Sequence, residues 1–138
     1  MNRRTLTVIL HWSVLCLLML LLAAGSSHAV LSWIFGLAGL AMTGLALAFG
    51  LMNGPGPKLT GGLRAAHPWA HRALYALLGW SALAVLTAAT GNVLPGPSPR
   101  SLLVALLGAG LLHGIFNLWR STTLNDGALR RMLPVRKG

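Results

Sequence analysis

The stretch LTVILHWSVLCLLMLLLAAG, residues 6–25, carries no charged side chain and a single imidazole, His11. A soluble helix is apolar along one stripe only, whereas this run is apolar on every side. At 1.5 Å rise per residue, about 20 such residues cross the hydrocarbon of a bilayer. The run therefore reads as a membrane span. An ionisable group within a span is costly and usually tied to function, so the question passes to what could satisfy His11.

Composition extends the reading to the whole chain. Of 138 residues, 55% are hydrophobic and 9% charged, against about a quarter charged in soluble domains. Eleven Lys and Arg face one acid, Asp126, for a net charge of +10. Such a charge can indicate nucleic acid, but the basic residues stand at the edges of apolar blocks, which fits membrane topology; the expected partner is lipid and not nucleic acid. Spans are expected at about 5–24, 29–51, 67–90 and 101–119. Between them lie GSSH (25–28), NGPGPKLTGG (53–62) and GNVLPGPSPR (91–100), rich in residues that end helices. Short connections make neighbouring helices antiparallel. The expected fold is all-α: one membrane domain over 1–138, an up-and-down four-helix bundle, with a polar surface tail at 121–138.

Cytoplasmic loops are enriched in Lys and Arg. Arg3, Arg4, Lys58, Arg64, Arg72, Arg120, Arg130, Arg131, Arg136 and Lys137 fall on one side, and only Arg100 on the other. Both termini are expected to be cytoplasmic. Ser27-His28-Ala29 after the first run imitates a signal-peptide cleavage site, but the apolar stretch is longer than the usual core of such a peptide. Cys16 is the only cysteine, so no internal disulfide can form, and no Cys-x-x-Cys-His motif attaches a c-type haem.

Depth places the histidines. His11 lies six residues into the first helix, about 9 Å along its axis, and His113 six residues before the end of the fourth. On antiparallel neighbours the two imidazoles share a depth and could fill both axial positions of a porphyrin iron. Each alone could instead bond a carbonyl or reach for the interface. Gly110 and Gly114 flank His113, and Ala41, Gly44 and Ala48 form a small-residue stripe in the second helix; small residues permit close helix approach or leave room for a flat cofactor. His67 and His71 open the third helix, with Pro68 expected in its first turn. Their spacing suits a metal, but no carboxylate or cysteine is near in sequence. Contacts to a quinone head group or a haem propionate, assisted by Arg72 or Arg64, compete with an ordinary interfacial role. His28 stands at the outer start of the second helix.

LHW in the first helix, the His opening the second, HRALYALL in the third, a His in the fourth and the closing LWRSTTLNDGALRRMLP together resemble the bacterial cytochrome b561 family. The same fold serves as the cytochrome b subunit of hydrogenases and formate dehydrogenases. The resemblance spans nearly the whole chain and implies a multi-pass protein of the bacterial inner membrane with two b haems. Carried over by position, His11 and His113 match the cytoplasmic-side ligands, and His28 the helix-two ligand of the outer haem. The partner of His28 should fall fourteen residues before His113, where this chain has Pro99, expected just ahead of the helix. One haem b is therefore expected, with two the family pattern. Some relatives oxidise superoxide at a positive outer surface, but Arg100 alone would steer an anion weakly. The expected function is electron exchange between haem and quinone or a partner redox subunit; the alternative is a haem-free membrane anchor or assembly subunit.

Overall fold

The computed structural model describes residues 2–25, 28–52 and 54–133. Ser27, and Arg136 and Lys137 of the tail, lie outside the described residues. Four helices, α1 Arg3–Ala24, α2 Ala29–Phe49, α3 Gly61–Ala89 and α4 Pro99–Thr122, are followed by a 3-10 turn at Leu129–Met132, and no strand occurs among the described residues. Each of the four is long and apolar enough to cross a membrane.

Local chemistry sets the ends. Asn2 caps α1 by accepting from the Thr5 N–H at 2.9 Å, and Gly25, at φ 88°, returns its N–H to the Leu21 carbonyl at 3.0 Å; only glycine takes such a φ freely. Ser98 caps α4 by accepting from the Ser101 N–H at 3.2 Å. Pro99 is then the first residue of α4 and not, as expected, ahead of it; a missing N–H costs nothing there.

α3 departs further from expectation. It begins at Gly61, so Pro68 sits inside the helix and not in its first turn. The early start is held by the Arg64 N–H on the Thr60 carbonyl at 3.3 Å and by Arg64 Nη1 on the Gly56 carbonyl at 2.7 Å. The 29 residues of α3 span about 44 Å, more than the ~30 Å hydrocarbon of a bilayer.

Neighbouring helices alternate in direction. Arg3 reaches the Gly50 carbonyl, Arg120 Nη2 reaches the Pro55 carbonyl at 2.7 Å, and Trp12 Nε1 donates to the Met132 carbonyl at 3.0 Å. The start of α1, the end of α2, the start of α3 and the end of α4 therefore meet at one end, hereafter the tail end.

The two halves of the bundle differ. Val14, Leu18 and Leu21 of α1, Phe35 and Met42 of α2, Leu78, Ala82 and Val85 of α3 and Leu103 and Leu106 of α4 form one buried cluster, weighted to the end away from the tail. Here α2 and α3 nearly touch. A Cβ at Gly39 would lie 3.0 Å from Ala82 Cβ, one at Gly79 3.2 Å from Thr43 Cγ2, and one at Gly36 would collide with Leu86. The expected close-approach stripe is corrected accordingly: Ala41, Gly44 and Ala48 are exposed, and the packing face is Ser32, Gly36 and Gly39. α4 leans on α3 and touches α1 only lightly. That gap opens the tail half.

Candidate functional site

Between the splayed α1 and α4 lies a cavity of about 510 Å³. Its walls are mostly aliphatic, including Val14, Leu15, Leu18, Leu78 and Leu107, with Gly110 and Gly114 on the α4 side. Nothing lies within 4 Å of where a Cβ would stand on either glycine. Residues after α4 complete the wall: Ala128, Leu129, Arg131 and Met132 border the same space. The tail is thus not only a surface segment. It folds back across the cavity, held by Trp12 on Met132 and by the Leu129 N–H on Ser121 Oγ at 2.9 Å.

Of the seven side chains offered as ligands or cofactor contacts, His11, His67, His71 and His113 border this cavity, whereas His28, Arg64 and Arg72 do not. His28 is an exposed residue at the N-cap of α2. Arg72 is exposed and lies over the Trp69 ring, 4.8 Å from its centroid. The His71 and His113 rings meet edge to face at 4.9 Å, and His67 and His71 stand 4.3 Å apart. His11 packs edge-on against Trp12 at 5.8 Å.

Partner chemistry fixes two tautomers. His71 Nδ1 lies 2.9 Å from the His67 carbonyl. A carbonyl only accepts, so Nδ1 carries the proton and Nε2 keeps the lone pair. Arg120 Nη1 lies 2.9 Å from His67 Nε2. A guanidinium only donates, so His67 accepts at Nε2 and bears its proton on Nδ1. That Nδ1 is buried without a hydrogen-bond partner among the described residues. On His113, the Asn117 amide nitrogen lies 3.0 Å from Nε2 and donates to the His113 carbonyl at 2.9 Å.

Sequence reasoning placed Arg120 among the topology-setting charges and found no carboxylate near His67. The fold adds to both: Arg120 is buried as well as basic, and it is paired with a carboxylate distant from His67 in sequence. Arg120 is 2% exposed, and its Nε donates to Asp126 Oδ2 at 2.7 Å, where the carboxylate is fully buried. Asp126 reaches the site because the chain turns back at Asn125, φ 49°, which returns the Asp126 N–H to the Arg120 carbonyl at 3.3 Å. The signal was present: a lone acid in a strongly basic apolar chain needs a cationic partner. Asn117 and Met132 gave no such signal. Among the described residues no three His, Cys, Asp or Glu side chains gather as a shell for a bare metal ion. A porphyrin iron asks only two axial ligands of the protein. No family model, curated protein or solved structure matches the chain.

Proposed function

We propose that the chain is a b-type haem protein of the bacterial inner membrane, similar to cytochrome b561, with its tail end in the cytoplasm, exchanging electrons with quinone or a partner redox subunit. The carrying observation is that His11 of α1 and His113 of α4 border one apolar cavity of about 510 Å³, within the usual few-hundred to one-thousand Å³ range of cofactor sites.

The residues fit the group. His11 and His113 offer imidazole nitrogens from two helices; His11 has no hydrogen-bond partner among the described residues. Gly110 and Gly114 leave the α4 wall flat beside His113. The mostly aliphatic lining lowers the local dielectric, which strengthens electrostatic contacts within. Arg131 borders the cavity and would meet a negative propionate, whereas Arg120 there is already paired with Asp126. His11 and His113 would hold the haem, which would supply a one-electron relay. A single haem is favoured because the other half of the bundle is filled by its apolar cluster and His28 borders neither cavity.

The test is the absorption spectrum of the purified protein. Soret and alpha bands of a b-type haem are expected, lost in His11→Leu and His113→Leu while both variants still insert, since leucine makes a span more apolar. Full low-spin haem in His113→Leu refutes the ligand assignment. No band in the parent protein favours the haem-free anchor or assembly subunit.

A further inference from the structure

A second space lies between α3 and α4 on the outside of the bundle. It measures about 380 Å³ and is bordered by α3 and α4 alone. Leu63 and Leu112 at its rim are 51% and 70% exposed, so within a membrane it opens to lipid. His67, His71 and His113 border both this groove and the larger cavity. The three imidazoles are therefore a partition between them.

We propose that this groove binds the head ring of a membrane quinone, with His67 Nδ1–H donating to one of its carbonyl oxygens. The inference rests on the quinone-linked reading above and adds where, and by which atoms, the quinone is held. Three observations carry it. A site opening into the bilayer is visited by lipid-soluble molecules. The floor is made of small side chains, with Ala66, Ala70 and Ala73 on one side of α3 and Ala109 across from them, leaving a shallow slot for a flat ring. The polar groups then separate a quinone from an acyl chain, which has nothing to offer an imidazole.

Those groups form a donor and acceptor pair. His67 presents Nδ1–H, the buried polar atom without a partner, because Arg120 occupies its Nε2. His71, which also borders the groove, keeps the Nε2 lone pair, because its Nδ1 is bound to the His67 carbonyl. A quinone carbonyl accepts from the first, and a quinol hydroxyl donates to the second, so both redox forms find a partner. An unpaired buried donor is costly, and an oxygen ligand removes that cost. Phe116 borders the groove and stands 6.4 Å from the His67 ring; a side chain of the groove wall must turn aside so that a ligand oxygen reaches the buried Nδ1. Arg120 and Asp126 are positioning residues, since they fix the His67 tautomer and do not themselves border the groove.

The experiment is photolabelling of the purified, lipid-reconstituted protein with an azido-quinone, followed by peptide mapping, with decylubiquinone as competitor and the haem spectrum read on the same samples. Label is expected within residues 63–77 and 109–116 and displaced by decylubiquinone. Ala70→Phe and Ala109→Phe fill the slot from opposite helices, and each should weaken the competition about tenfold or more, the scale of losing a ring's contact. His67→Phe keeps a ring but removes one neutral hydrogen bond and should weaken it about fivefold. Displaceable label elsewhere, label that no quinone displaces, or equal displacement by a saturated hydrocarbon chain overturns the proposal. Unchanged competition in His67→Phe overturns the donor assignment. Loss of label with an intact haem spectrum counts against the groove alone; label in the groove with no haem band counts against the haem reading alone.

Discussion

Removing the charge of Asp126 tests how the tail end is held together. Its carboxylate is fully buried and receives two guanidinium nitrogens of Arg120, from Nε at 2.7 Å and Nη2 at 2.5 Å. It also receives the Ala128 N–H at 2.9 Å, which helps turn the tail. Breaking a buried ion pair on one side costs about 3–5 kcal/mol, largely because a charge is left buried and unpaired. Arg120 keeps two other acceptors, His67 Nε2 and the Pro55 carbonyl, which places Asp126→Ala near the lower figure, about 3 kcal/mol. That is roughly a hundredfold in the equilibrium for docking the tail. The assay is denaturation by sodium dodecyl sulfate in mixed micelles, followed by circular dichroism and by Trp12 fluorescence, because Trp12 donates to the tail at Met132. The paired variant Arg120→Met with Asp126→Leu should recover much of the loss, since apolar replacement of both partners avoids the unpaired charge. A cost under about 1 kcal/mol for Asp126→Ala, the level of an exposed pair, refutes the reasoning.

The remaining expectations are simpler to read. Gly36→Ala should destabilise by about 1–3 kcal/mol through overlap with Leu86, seen as a lower thermal midpoint in detergent. Gly44→Ala, with nothing within 4 Å, should be neutral or stabilising by up to about 1 kcal/mol; the reverse order would show that the α2–α3 register is wrong. His28→Ala should leave haem content and spectrum unchanged, and a haem-to-protein ratio falling from two to one would establish an outer site that uses it.

Much of the fold was legible because spans are long and punctuated: the limits of α2 lie within two residues of expectation, and α1 and α4 are slightly longer at their ends. α3 was cut short because Pro68 was read as a first-turn residue. Proline is also tolerated deeper in a membrane helix, where neighbouring groups re-satisfy the backbone. The four cavity-lining histidines stood out, since polar residues in apolar blocks are few. Which small residues face a neighbour did not, because α2 is rich in Gly and Ala on several sides. Only the position of Leu86 and Ala82 on α3 selects Gly36 and Gly39. The Arg120–His67 contact joins residues 53 apart, and no periodicity within one helix encodes such a distance.

The returning tail has a consequence for the order in which the molecule can be completed. Ala128, Leu129, Arg131 and Met132 are synthesised after all four helices, so the bundle is inserted while one side of its larger chamber is still open. On the haem reading proposed above, the planar group would enter from that side without any helix having to part, before the Arg120–Asp126 clasp forms. Retention would then depend on how often the clasp opens more than on how tightly the helices grip. A chain weakened at Asp126 should therefore assemble with a full complement of its ligand and afterwards lose it with time.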